Sequence, residues 1–142
     1  MQLRRKLSTF LRMRCADRFL VCEAIVTLAL ARLIVLTVPF RLMAPWLSRA
    51  PQTDACDAAL VLRVRKAVTA AARNVPWNAV CLPQAIAAKA MLARRGCGSS
   101  IYLGANLNAQ GKLTAHAWLV AGGTVVVGAA GIRRVTSLAR FG

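Results

Sequence analysis

Two side chains in this chain are suited to covalent chemistry as a pair, Cys81 and His116, and each is informative because of where it stands. Cys81 opens the run Cys81-Leu-Pro-Gln-Ala-Ile-Ala-Ala-Lys-Ala-Met-Leu-Ala-Arg-Arg-Gly. That run predicts a helix: Pro83 suits a first turn, the alanines have high helix propensity, Arg94 and Arg95 complement the C-terminal dipole, and Gly96 supplies a left-handed stop. A thiol at a helix start faces unpaired backbone N–H groups and the positive end of the dipole, which favour thiolate over thiol. His116, the single histidine, lies in Ala115-His-Ala-Trp, within a strand-like stretch. A strand imidazole packed against a helix-start thiol can take its proton and later protonate a leaving amine.

Taken singly, neither residue is diagnostic. A cysteine among apolar neighbours is ordinarily an inert core residue, and a lone histidine is ordinarily structural. The signal is the pair. Gln84, one turn into the same helix, stands where it could orient the nucleophile or donate to an oxyanion, although the backbone N–H of Cys81 or Leu82 is the stronger candidate donor. Cys15, Cys22, Cys56 and Cys97 have no comparable placement and read as structural. Five scattered cysteines fit neither a disulfide scaffold nor a zinc site with paired spacing, so reduced thiols are expected. No metal site and no cofactor is expected.

The elements that must position this pair follow from patterning. Residues 1–49 read as helical, with Asp17 as a cap for an apolar run that ends at Pro39. A break at Ser48-Arg-Ala-Pro-Gln-Thr-Asp precedes a second helix capped by Asp54 and running to about Arg73. After Gly96 the period becomes strand-like. Ser100 to Leu107, Leu113 to Val120 and Thr124 to Val127 alternate with turn signals at Asn108-Ala-Gln-Gly and Gly122-Gly123. Three antiparallel strands after a helix predict an α+β layer. The division expected is a helical extension over 1–53 and a core over 54–142.

At 142 residues and 15.2 kDa the chain has room for one domain and a short appendage. Its 58% hydrophobic content and mean hydropathy of +0.53 exclude disorder. Lys and Arg number 20 against 4 Asp and Glu, a net charge of +16, so an anionic partner or surface is expected nearby. With only Asp17, Glu23, Asp54 and Asp57 as side-chain carboxylates, a two-carboxylate glycosidase and a carboxylate-held metal cluster are improbable. The apolar segment from Phe19 to Phe40 carries Glu23 and Arg32 and lacks a small-residue cleavage site. It is therefore expected to be a buried helix of a cytoplasmic protein, broken by its charges into pieces too short to span a bilayer, with membrane-surface contact left open.

With these residues in hand, the sequence resembles the stand-alone leader peptidases of lasso peptide biosynthesis, B-type maturation proteases with a transglutaminase-like, papain-related core. The resemblance rests on Val75-Pro-Trp, Cys81-Leu-Pro-Gln-Ala, Leu92-Ala-Arg-Arg-Gly, Tyr102-Leu-Gly, Ala115-His-Ala-Trp and the closing Phe141-Gly, with an N-terminal helix ending in Pro39-Phe. It implies a nucleophile helix on a small antiparallel sheet, with Cys81 as nucleophile and His116 as general base. It implies cleavage of a precursor peptide, a separate leader-recognition protein, and an ATP-dependent cyclase that takes the released core. The family's usual acidic residue on the strand after the histidine is missing here, since no Asp or Glu follows Asp57. The competing expectation is a non-catalytic basic module for nucleic acid or an anionic membrane. Against specific nucleic-acid binding, the basic residues are spread through every segment and no aromatic-rich binding strand is visible.

Overall fold

The computed structural model describes residues 2–48, 55–129 and 136–141. Its elements are α1 (Gln2–Arg12), α2 (Cys15–Thr37), α3 (Phe40–Leu47), α4 (Ala58–Asn74), α5 (Cys81–Ala93), β1 (Ser100–Leu107), β2 (Leu113–Ala121), β3 (Thr124–Val127) and β4 (Thr136–Phe141). The architecture is α+β: helices α2, α4 and α5 pack together, and α4 and α5 rest on a four-stranded antiparallel sheet of order β3-β2-β1-β4.

Local chemistry explains most of the boundaries. The α4 cap is Asp57, whose carboxylate accepts from Ala59 N at 3.0 Å. Asp54, the cap expected from sequence, lies outside the described residues. Residues Val38 and Val75 are extended, as the prolines after them require, and end α2 and α4. Past the end of α5 the chain turns at Gly96 (φ +71°), and Cys97 N donates to Leu92 O at 3.0 Å, closing the helix as its glycine predicts. The β1–β2 turn is organised by Asn108, whose side-chain oxygen accepts from Gln110 N and Lys112 N. Gly122 and Gly123 both take positive φ at the β2–β3 turn, where a two-residue hairpin needs it.

Three expectations for the N-terminal part are corrected. It forms three helices, and Pro39 caps α3 as well as stopping α2. Asp17 is not a cap: α2 starts at Cys15, and Asp17 lies in its first turn, paired with Arg63 of α4 at 3.2 Å. Glu23 and Arg32 do not break α2, which runs unbroken for 23 residues with a mean hydropathy of 2.4 over its most apolar window. By length and composition it could cross a membrane, yet Leu20, Val21, Ala24, Leu28 and Ala31 are buried in the same core as α4, α5 and the sheet. No break in the core separates α2 from the part after residue 53.

Two more differences concern long-range pairing. Segment 136–141 forms a fourth strand, on the free side of β1 and antiparallel to it, which the three-strand expectation missed. Cys56 and Cys97, expected to be reduced, are joined as a disulfide with their Cα atoms 5.0 Å apart, tying the approach to α4 to the turn between α5 and β1. Cys15, Cys22 and Cys81 are free.

An acid–base clamp fixes α2 to the far end of α5. Glu23, with its side chain only 7% exposed, meets Arg95 at 2.6 Å through Oε2 and Arg94 at 3.1 Å through Oε1. The two arginines therefore bind a buried carboxylate as well as the helix dipole. The hydrogen bond from Arg95 holds the Glu23 carboxyl below its ordinary value, outweighing the opposing effect of burial.

Candidate active site

The first residue of α5 is Cys81, half-buried against the core. Its helix starts there because Val80 is extended (φ −70°, ψ 168°) and offers no side-chain cap. Pro83 has no N–H, and Gln84 N is committed to Val80 O at 3.4 Å. The first turn thus offers the backbone N–H groups of Cys81 and Leu82 beside the sulfur, the donors expected from sequence. Such a cluster can stabilise negative charge on a neighbouring oxygen.

The loop that delivers Cys81 is held from two sides. Arg32 of α2 donates to Asn78 O at 3.0 Å, and Val80 N donates to the same oxygen at 3.1 Å. The Gln84 side-chain amide donates to Ala79 O at 2.5 Å. Gln84 therefore ties the helix to its own lead-in loop, a positioning contact, and its amide nitrogen is already engaged. Arg32 was missed from sequence because its partner lies 46 positions away; a cation in an otherwise apolar helix was the available signal.

On β2, His116 stands opposite Gly104 of β1 and is half-buried. Helix α5 packs against β2, and the chain reverses between α5 and β1, so the starts of α5 and β2 lie toward the same end of the layer. The pleat sorts the β2 side chains. Ala117, Leu119 and Ala121 turn into the helical core, so alternation sets His116 on the other face with Trp118, which stacks on Tyr102 at 5.7 Å. No hydrogen bond joins the Cys81 thiol to the His116 imidazole. The structure brings the two elements together without closing that contact.

A second buried polar group was not foreseen. Lys89, two turns beyond Cys81, is 5% exposed and donates through Nζ to Ser99 O at 2.7 Å, and burial pushes its ammonium below the usual value. It fastens the middle of α5 to the strand entrance. Among the described residues no group of three or more His, Cys, Asp or Glu could hold a metal ion. A groove of about 580 Å³ lies between the start of α2 and α4, lined by Met13, Arg14, Asp17, Leu20, Arg63 and Lys66, among others, and neither Cys81 nor His116 lines it.

Comparison with curated proteins and with solved structures gives no match. The comparison with protein families does: the model of the transglutaminase-like superfamily matches residues 24–140, from within α2 to β4. A helix-start cysteine on an antiparallel sheet that bears the only histidine is thus set in a matched region covering most of the chain, which belongs to the transglutaminase-like superfamily.

Proposed function

We propose that this protein is a cysteine peptidase that removes the leader from a ribosomally made lasso peptide precursor. The observation that carries the reading is Cys81 at the first position of α5, with backbone donors beside it, on a helix packed against the strand of His116. In the proposed reaction His116 takes the Cys81 proton as the sulfur attacks the scissile carbonyl carbon. The N–H groups of Cys81 and Leu82 stabilise the oxyanion. Collapse breaks the C–N bond, His116 returns the proton to the departing amine, and the core leaves with a new amino terminus. The leader remains as a thioester on Cys81 until water hydrolyses it, releasing a carboxylate and the free thiol. Arg32 and Gln84 act by positioning the loop ahead of the nucleophile.

The thiol and imidazole are not hydrogen-bonded in the free chain, and strand alternation turns the imidazole away from the α5 face, so the proposed proton transfer needs His116 to turn toward Cys81. Catalytic contacts often tighten only when substrate is bound. The proposal assigns that tightening to the precursor, presented by a separate leader-recognition protein that raises the local concentration of the scissile bond. The released core would pass to an ATP-dependent cyclase. The test is leader release followed by mass spectrometry, using the full chain, a synthetic precursor and the recognition protein. Cys81→Ala and His116→Ala should each lose roughly a thousandfold or more of the rate, and wild type quenched in acid should carry the leader mass on Cys81. Cleavage at the wild-type rate by Cys81→Ala would overturn the assignment.

The net charge of +16 favours a second reading, a non-catalytic basic module for nucleic acid or an anionic membrane. Salt-sensitive binding to generic DNA with no cleavage of any precursor would select it.

A further inference from the structure

We infer that the outer face of α2, together with the basic α1, docks this protein in the plane of an anionic lipid surface. Helix α2 has two apolar faces. One, made by Leu20, Val21, Ala24, Leu28 and Ala31, builds the core. The other is solvent-facing: Phe19 (73% exposed), Val26 (59%), Leu30 (53%), Leu33 (57%) and Leu36 (70%) recur at spacings of three, four and seven along nearly its whole length, with the free Cys22 between the first two. Soluble surfaces carry large apolar side chains singly; an uninterrupted stripe of this kind marks a contact face.

Charge identifies the occupant. The first 18 residues contain Arg4, Arg5, Lys6, Arg12, Arg14 and Arg18 against one acid, Asp17. Both carboxylates of the described residues up to Ser48 are already neutralised, Asp17 by Arg63 and Glu23 by Arg94 and Arg95. Residues Leu7 and Leu11, one turn apart in α1, are 61% and 57% exposed, giving that basic helix an apolar edge of its own. An apolar stripe flanked by an excess of cations over acids is the pattern of an in-plane membrane helix on anionic lipid. Spanning the bilayer is a different matter. It would strip α2 from α4 and α5, exposing the core and carrying the Glu23–Arg94–Arg95 cluster into hydrocarbon. The fold therefore selects lying on the surface over crossing it.

The test is flotation of the full chain with vesicles of phosphatidylglycerol and phosphatidylcholine, against pure phosphatidylcholine. Binding should require the anionic lipid, weaken as salt rises, and fall by about tenfold or more in Leu30→Glu with Leu33→Glu, because two exposed leucines no longer enter the acyl boundary. Circular dichroism and melting of that variant should match wild type, since neither side chain is buried. Absence of flotation on anionic vesicles at low salt would overturn the inference. So would undiminished binding by the folded double variant, which would leave charge alone as the cause, or a stable dimer or complex with the recognition protein that shields Leu30 and Leu33. Leader cleavage is read in a separate assay without lipid, so its failure leaves this result unaffected.

Discussion

Replacing Glu23 by Gln tests how firmly α5, the helix that Cys81 opens, is held by its far end. Both carboxylate oxygens of Glu23 are used: Oε1 accepts from Arg95 Nη1 at 3.1 Å and is ion-paired with Arg94 Nη1 at 3.1 Å, and Oε2 accepts from Arg95 Nη2 at 2.6 Å. The carboxylate is 7% exposed, whereas the Arg94 and Arg95 side chains are 66% and 28% exposed. Removing the charge from a fully buried pair costs about 3–5 kcal/mol. Here the arginines can turn toward water, and glutamine keeps one acceptor, so the expected loss is smaller, about 2 kcal/mol. For a domain of this size that lowers Tm by roughly 5–10 °C. The pH dependence has a definite sign. Because the folded carboxyl is held below the ordinary 4.5, its contribution is complete above that value and disappears as pH falls through the depressed folded value. The gap between wild type and Glu23→Gln should therefore be constant near neutrality and close in acid. Thermal melts at pH 7 and at steps below pH 5 measure both effects. Equal melting temperatures at pH 7, or a gap that persists unchanged in acid, would refute the argument.

Other expectations are equally direct. Cys56→Ser, or reduction of the wild type, opens a cross-link between residues 41 apart and should cost about 4 kcal/mol by the chain-entropy relation, measured by urea unfolding. Substituting Met for Lys89 removes a buried cation whose ionised form is disfavoured by burial; any stability gain should be largest near neutrality and shrink as pH rises toward 10.5, where the lysine is losing its charge even unfolded. Melts at pH 7 and pH 10 that show the opposite trend would contradict it. Arg32→Ala leaves the Asn78 carbonyl ahead of Cys81 held by Val80 N alone and should slow leader release by about tenfold with KM little changed, Arg32→Lys recovering part of the rate. An Arg32→Ala enzyme with unchanged turnover would remove that residue from the site.

What was legible in the sequence was what local chemistry decides. Pro83, the alanines and Gly96 define α5 within a residue or two, and Asn108 and Gly122-Gly123 define both hairpin turns. Cys81 was visible as a helix-start thiol for the same reason. The misses all need a distant partner. Asp17 looks like a cap until Arg63 of α4 is seen to claim it, and Glu23 looks like a bare charge interrupting an apolar segment until Arg94 and Arg95, more than 70 positions away, are seen to pair with it. The Cys56–Cys97 link and the β1–β4 pairing depend on where the turn after α5 is delivered. The face taken by His116 was equally hidden, because strand alternation has two phases and only the packing of Ala117, Leu119 and Ala121 against the helices selects one.

That phase bears on the carboxylate this chain lacks. An Asp placed between Thr124 and Gly128 can support His116 and raise turnover only where its side chain faces the imidazole rather than the core. The register restricts this severely. Thr124 and Val125 lie opposite Ala121 and Val120, four or more residues along β2 from His116, about 13 Å at the rise of a strand. Val126 and Val127 are buried, 1% and 5% exposed, and join the helical core. Gly128 alone comes near the right level, beside Ala117 and Trp118, and it is the position least able to accept a side chain. Its φ is +85°, and a Cβ there would stand 2.4 Å from Ala117 O and 2.7 Å from Trp118 Cβ. Relieving that overlap requires the backbone of β2 or of the turn to move. Gly128→Asp should therefore lose about 2 kcal/mol or more of stability and gain no activity, and Val125→Asp should fold normally and leave turnover unchanged. Leader release and melting temperature measured on both variants decide the matter: faster cleavage by a stable Gly128→Asp protein would show that β2 and β3 are spaced more widely in the working enzyme, and the geometric argument would fall.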